Sequence, residues 1–343
     1  MIKKMEESGK QIEEYTGKII YTYDKNKELL RELWEEAFDD PEEFVDYYFD
    51  NVCNTNKILS AYADDKLIGM LHLNPYDVYV DGQIKKSYYV VGVSVALSMR
   101  EQGNMKAMMK KALEDVAKEG VEFVFLMPAL EDYYNNLGFK KVYNTKTLDF
   151  TIIEPEEFER DISDCYASLM LCTEHITDFA LDSLEDVANI INEKLNEKHK
   201  VFCKRSGEYL TNAIKEHNCQ MGDICVVREH MMSENEDEAE DRDIVGVFSY
   251  GIDDDTMYVE RFEAFEENAM ALMLSVLKLA TELSCSRCII TVADGDVDGY
   301  EHILEGIELD VTDGKGIMVC ILNNEEEKYL QIMRDNTFID EIV

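Results

Sequence analysis

"VVGVSVALSMREQGNMKAMMKKAL", residues 90–113, decides the fold. Its first half is an apolar, β-branched run that ends at Ala96–Leu97, the pattern of a buried strand. Its second half places Met105, Met108, Met109, Ala112, Leu113 and Val116 at helical spacing, which predicts a helix over 103–119 with one face buried against a sheet. Between them lie Arg100, Glu101, Gln102 and Gly103, with no proline and no ordinary polar loop. No Ser, Thr, Asp or Asn immediately precedes Gly103, so the first amides of the helix lack an obvious side-chain cap. Uncapped amides at the positive end of a helix dipole form an anion site. Glycine permits close backbone approach, and Arg100 adds a fixed positive charge.

Working outward, strands are expected at "KIIYTY" and "SYYVVGVSVAL", and across the hairpin "KILSAYADDKLIGMLHL", which turns at Asp64–Asp65–Lys66. "NKELLRELWEEAF" reads as an amphipathic helix, and a second opens with Asp40 as N-cap and Pro41 at its first position. "EFVFLM" is a strand, "LEDYYNNL" a short helix, and "FKKVYNTKTLDF" returns to strands. A similar element order restarts later. Two helices ("SLEDVANIINEKLNE", "SGEYLTNAIKEH") precede the strands "DICVV", "DIVGVFSYGI" and "TMYVERFEAF". The helix "ENAMALMLSVLKLATEL", the strand "RCIITVA", the short helix "YEHILEG" and the strand "GIMVCIL" follow. The repeat lies in element order rather than residue identity. The expectation is an α/β chain with mixed sheets in two domains, 1–150 and 151–343.

The net charge of −39 is uneven: residues 1–150 hold 19 Lys+Arg against 27 Asp+Glu, and the rest hold 15 against 46. Such acidity excludes nucleic acid and anionic membranes as partners, because phosphate requires cations. It suits a cationic partner. Seven acids in residues 234–243 mark a solvated loop between two strands. No run approaches the ~20 apolar residues of a membrane span, and no secretory segment is evident, so the cytoplasm is the expected compartment. Most of the nine cysteines sit in apolar runs and read as reduced, buried thiols; Cys285–Ser–Arg–Cys288 lacks the second pair or histidines of a zinc site.

Neither GxxxxGK[ST] nor GxGxxG after a strand is present. Val93-x-Val95 followed by Arg100-x-x-Gly103-x-Met105 resembles the acetyl-CoA motif of the GNAT N-acetyltransferases, R/Q-x-x-G-x-G/A after their fourth strand. About 30 residues on, Tyr134-x-x-x-Gly138-Phe139 resembles the family's Y-x-x-x-G-F/Y element. "LWEEAF", "GMLHLNPY", "VGVSV", "MREQGNM" and the degenerate second half are similar to the enhanced-intracellular-survival (Eis-type) branch, which pairs an active GNAT unit with a second unit lacking the pyrophosphate loop. The sterol-carrier-like third domain usual there is not expected here.

The resemblance implies tandem GNAT folds and an acetyl-CoA-dependent N-acetyltransferase whose second half shapes the acceptor cleft. The main chain of Val93 and Val95 would pair with the pantetheine arm. The amides of Gln102, Gly103, Asn104 and Met105, with Arg100 nearby and Lys106 beside them, would hold the pyrophosphate. Met105 replaces the common Gly/Ala, and Glu101 stands where related chains are often basic. Tyr134 would protonate the departing thiolate. The proton of the amine would go to a base that the residues do not name; His72 is one strand candidate, and a chain-terminal carboxylate, here Val343, is the branch's. Glu35 and Glu36 could read a cationic amine. An aminoglycoside, a polyamine or a lysine side chain fits as acceptor, and the sequence is compatible with a homo-oligomer.

"FEENAM" in the second half offers Glu266 and Glu267 and no glycine where the first has its anion loop, so that half is not expected to bind CoA. Asp294, Asp296, Asp298, Gly299 and Glu305 match an EF-hand loop. They follow a predicted strand rather than a helix, which counts against a calcium loop; the alternative function is a non-catalytic CoA- or calcium-responsive binding or regulatory protein on a GNAT scaffold.

Overall fold

The computed structural model describes residues 15–152, 155–180, 183–229, 243–334 and 336–339. The acid-rich stretch 234–242 and Val343 lie outside the described residues. Strand β1 (Ile19–Tyr23) leads into helices α1 (Lys27–Ala37) and α2 (Glu42–Asp50), then into β2 (Lys57–Ala63), β3 (Lys66–Val80) and β4 (Gln83–Val95). The β2–β3 hairpin turns on Asp64 and Asp65, both left-handed (φ 47° and 65°), and the β3–β4 hairpin on Asp81–Gly82 (φ 49° and 79°). Positive φ at both central residues is what a two-residue turn between right-twisted strands requires. Helix α2 differs from expectation at its start. It begins at Glu42 with Pro41 in the cap position, and no side chain caps it. Asp40 instead accepts a hydrogen bond from Trp34 Nε1 (2.9 Å) and fastens the α1–α2 connection.

Helix α3 (Asn104–Lys118), β5 (Phe123–Leu126), α4 (Glu131–Asn135) and β6 (Lys140–Tyr143) follow, then β7 (Thr145–Thr151), α5 (Pro155–Ser168) and β8 (Leu171–His175). Next come α6 (Leu184–Lys198), β9 (Val201–Cys203), α7 (Gly207–Asn218), β10 (Asp223–Glu229), β11 (Asp243–Asp253) and β12 (Thr256–Ala264). The chain closes with α8 (Ala269–Glu282), β13 (Arg287–Ala293), α9 (Val297–Ile303), β14 (Leu309–Asp313), β15 (Ile317–Ile321), α10 (Glu326–Met333) and β16 (Thr337–Phe338).

Two compact units result. Among the described residues, the first takes 15–142 and 316–334; the second takes those within 143–315 and 336–339. Their sheets run β1-β2-β3-β4-β5-β15-β6 and β8-β10-β11-β12-β13-β7-β14. The order is the same in both, and the sixth place in each is filled from the other half of the sequence. "GIMVCIL" thus does not close the second unit: β15 lies antiparallel to β5 of the first, with Val319 opposite Phe125. Reciprocally, β7 lies between β13 and β14 of the second.

In the first unit α3 buries Met108, Met109, Ala112 and Val116 in the core that includes Leu59, Leu71 and Val124. Helices α1 and α2 bury Leu30, Trp34, Tyr48 and Phe49 in a separate cluster with Ile58 and Met70. In the second unit α8 is apolar on nearly every side, and α5 packs over it. A helix without a polar face needs cover on both sides.

Candidate active site

The far end of β4 is built as an open edge. Strands β4 and β5 run parallel, with Tyr88 opposite Val124 and Tyr89 opposite Phe125. Strand β4 then continues to Val95, whereas β5 ends at Leu126. Against β3, His72 faces Val91 and Met70 faces Ser94, so Gly92 and Val93 together oppose Leu71 alone. This is a β-bulge, and its first residue, Gly92, has φ +59°. The isolated glycine in "VVGVSV" carried that signal. Val93 is half-buried and Val95 buried.

Beyond Val95 the chain makes a 3-10 turn (Leu97–Met99), extends through Arg100, and passes through two left-handed residues, Glu101 (φ 62°) and Gly103 (φ 77°). Gly103 is the N-cap of α3, and no side chain caps the helix. The first helical bond runs from Ala107 N to Gly103 O (3.0 Å). The amides of Gly103, Asn104, Met105 and Lys106 precede it, so no carbonyl of the helix receives them. A Cβ on Gly103 would meet nothing within 4 Å, so the approach to these amides is open. Glu101, Gly103 and Lys106 are exposed.

The polar side chains of the loop brace it from behind. Asn104, buried, donates to Met99 O (2.8 Å). Gln102 donates to Ser98 O (3.2 Å) and accepts from Tyr15 N (3.0 Å). Glu36 accepts the Leu97 amide (2.7 Å), tying α1 to the turn. Arg100 folds back to donate through Nε to Val95 O (2.9 Å). The family resemblance implies a role for that main chain in pairing with a pantetheine arm; the carbonyl's second lone pair still permits a shared bond.

Tyr134 lies on α4 with its ring 5.7 Å, edge-on, from Phe139. Gly138 (φ 89°) ends that helix, and Phe139 N returns to Tyr134 O (3.4 Å), so the Y-x-x-x-G-F spacing is a helix stop anchored by a buried phenylalanine. The Tyr134 hydroxyl makes no hydrogen bond among the described residues, and burial, then Tyr133, push it up to about 12.

The candidate bases and amine readers fare differently. His72 is fully buried, shares a hydrogen bond between Nδ1 and the Tyr48 hydroxyl (2.8 Å), and is held down to about 3 by burial and then Lys25. It belongs to the aromatic cluster beneath α1 and cannot serve as the base. Glu35 pairs with Arg31 (2.7 Å), and Glu36 is the brace just described.

The second unit keeps the bulge and drops the anion loop. Ser249 faces Glu260 and Val247 faces Glu263, so Arg261, with φ +48°, takes the place of Gly92. Its guanidinium donates to His217 Nε2. Chain 265–268 leads into α8 through a left-handed Glu266 (φ 54°) that pairs with Lys194 (3.0 Å); α8 too has no side-chain cap, but two glutamates and no glycine precede it. At the position of Ser94, Glu263 is buried between Lys198 (2.7 Å) and His199 (2.8 Å). The EF-hand match does not form a calcium loop: Asp298 and Gly299 are within α9, and Asp294 and Asp296 face Lys146 (3.7 Å) and Lys198 (3.5 Å). Cys285 and Cys288 are both buried, and burial raises both thiols.

Residues 18–142 match the model of the acetyltransferase (GNAT) domain. No curated protein matches the sequence. Among solved structures, a probable N-acyltransferase of unknown function from Enterococcus faecalis superposes with a TM-score of 0.67 at 13% identity, over 90% of this chain and 73% of that one. A GCN5-related N-acetyltransferase from Kribbella flavida gives 0.65 at 11% identity, over 89% and 72%. Eis1 from Mycobacterium abscessus gives 0.58 at 13%, over 90% and 74%. No helix of the described residues is long and apolar enough to cross a membrane. Residues 18–142 therefore match a GNAT acetyltransferase domain, and the chain shares its fold with these N-acetyltransferases, Eis1 among them.

Proposed function

We propose that the first unit moves acetyl from acetyl-CoA directly to an amine. The observation that carries this reading is the open, uncapped start of α3 at Gly103, placed at the end of the free β4 edge. The amides of Gly103, Asn104, Met105 and Lys106 suit a pyrophosphate, and the main chain of Val93 and Val95 suits an extended arm, added like a strand. The amine attacks the thioester carbonyl; the N–C bond forms, the C–S bond breaks, and Tyr134 gives its proton to the departing thiolate. The attacking nitrogen's proton leaves to solvent or to a base outside the residues assigned so far. The second unit has Glu266 and Glu267 ahead of a helix start that is also uncapped, and these like charges repel a pyrophosphate, so it takes no donor. Its acidity favours a cationic acceptor: an aminoglycoside, a polyamine or a lysine side chain.

The test is calorimetry of acetyl-CoA with the wild type and Gly103→Glu, followed by a thiol-release screen of those three acceptor classes. One donor per chain, lost in the variant, supports the reading. A folded wild type that binds no acetyl-CoA overturns it.

A further inference from the structure

Tyr134 sits on a helix whose end is braced from a distant part of the sequence. Strands β5 and β6 are not neighbours: β15 lies between them, so the connection that carries α4 has to cross over β15. Gly138, with φ 89°, stops the helix, and Leu137 N and Phe139 N both return to Tyr134 O (2.9 and 3.4 Å). The stop therefore fixes the backbone of the tyrosine itself. Among the described residues, chain neighbours apart, the one atom that a Cβ on Gly138 would meet within 4 Å is Cys320 Sγ, at 3.6 Å. The same thiol points at Leu137 O (3.8 Å). Cys320 is 6% exposed, and burial, then Glu326, push it up to about 11, so it stays a neutral donor. Met318 and Cys320 share a cluster with Phe139, and Tyr134 and Leu137 pack against that cluster.

Strand β15 is itself pinned, by Glu122 just before β5. The Glu122 carbonyl accepts from Leu322 N (2.8 Å). Its carboxylate accepts from the Tyr329 hydroxyl (2.5 Å), Asn323 Nδ2 (3.1 Å) and Lys85 (2.8 Å). The Tyr329 ring, on α10, lies 5.7 Å from that of Phe123. These bonds hold the register, and a slip of one residue would turn Cys320 to the other face of the sheet. The second unit lacks the brace. Gly306 (φ 97°) follows α9 there, and a Cβ on it would meet nothing within 4 Å among the described residues. The family match ends at residue 142, so Cys320 lies outside it.

We infer that Cys320 is a positioning residue for acyl transfer: it sets the α4 stop and, through it, where the Tyr134 hydroxyl stands relative to the departing thiolate. This rests on the donor reading above. A displacement of only about 1 Å is enough, since misplacement on that scale costs up to about 100-fold in rate. Residues 316–334 thereby belong to the catalytic machinery of the first unit, although none of them touches the reacting atoms.

The test compares Cys320→Leu, which crowds Gly138 and Leu137, with Cys320→Ser, which keeps the size and the donor to Leu137 O. With spermidine as acceptor, Cys320→Leu is expected to lower kcat about tenfold with the Kd of acetyl-CoA unchanged, and Cys320→Ser to retain the wild-type kcat. In the Tyr134→Phe background, Cys320→Leu is expected to cost nothing further, because the group it displaces is gone. A merely structural role would lower kcat by the same factor in both backgrounds; that result, or an unchanged kcat in a folded Cys320→Leu, overturns the proposal. Should Cys320→Leu not fold, Cys320→Ala, which withdraws the contact instead, enters the same cycle with the same expected outcomes. A further readout needs no turnover. In protein with carbon-13 ring-labelled tyrosine, the Tyr134 signal, identified by its loss in Tyr134→Phe, is expected to move in Cys320→Leu and to hold in Cys320→Ser. A signal that stays put in Cys320→Leu overturns the brace, whereas a wild type that binds no acetyl-CoA overturns the donor reading.

Discussion

Trp34 occupies the space that a side chain on Gly92 would need: a Cβ built there would lie 2.5 Å from Cζ3 of the indole. The contact joins α1 to the bulge that frees the end of β4. Two costs therefore meet in Gly92→Ala, a left-handed backbone at a residue with a Cβ, about 1 kcal/mol or more, and overpacking against a buried ring, about 1–3 kcal/mol. The variant is expected to lose about 2–4 kcal/mol in urea unfolding followed by Trp34 emission. A loss below about 0.5 kcal/mol would show that α1 shifts freely and that the bulge does not depend on this packing.

Tyr134→Phe separates chemistry from binding. The ring contact with Phe139 is kept, and only a hydroxyl without a partner among the described residues is removed. Stability and acetyl-CoA affinity should stay near wild type, while kcat falls about 100-fold or more, as for loss of a positioned general acid. Because burial pushes this phenol up to about 12, it keeps its proton through about pH 10, and kcat should show no descending limb from it below that pH. An unchanged kcat would remove Tyr134 from the mechanism.

The parts of the proposed donor site are legible in the sequence because they are local. The strand-to-helix junction, the lack of a capping side chain before Gly103 and the Tyr134–Phe139 spacing are all read within a few residues. What was not legible depends on partners distant in sequence. Nothing in "GIMVCIL" says that it pairs with Phe123–Leu126 rather than with the strand that precedes it. The same holds for β7, whose alternation fits either sheet. His72 looked ambiguous for a related reason: strand periodicity gives the face, but the Tyr48 hydroxyl and the Trp34 ring that make it a core residue come from two helices. The helices α5 and α10 went unassigned.

Acid should weaken both units through histidines that fold neutral. His72 and His217 are both held at about 3, each by burial first and then by a cation, Lys25 or Arg261. Their unfolded values are about 6.5. Between the two the unfolded chain binds more protons, so stability rises with pH and is lost as pH falls from about 6.5 toward 3. Each can contribute a slope of up to about 1.4 kcal/mol per pH unit. The chain has one tryptophan, Trp34, whose ring lies 5.7 Å from that of His72, so its emission reports the first unit. Urea midpoints from about pH 7 to pH 5 should fall, and His72→Phe should flatten that fall. An equal slope in the variant would show that other groups set the acid limb.

A third histidine works in the opposite direction. His175 Nδ1 lies 3.4 Å from Asp223 Oδ2, and that carboxylate also accepts from Thr177 (2.5 Å) and from the Ile224 amide (2.7 Å). The bond to Asp223 raises His175 above its ordinary value, with Asp178 and Glu282 adding to the field, against the cost of burial. Asp223 is held low by His175, Thr177 and Ile224 although burial opposes this. For a group whose folded pKa is raised, the stabilisation is complete below about 6.5 and is lost as pH rises through the folded value. The side chain of His175 is 32% exposed, so water screens the pair and its effect is smaller than that of the buried histidines. Together the two opposed limbs place maximal stability near neutrality. In hydrogen exchange of the β8–β10 amides, wild-type protection should decline from about pH 6.5 to 8 once intrinsic rates are corrected, and His175→Gln should abolish that decline. Protection that declines equally in the variant would assign the alkaline limb to another group.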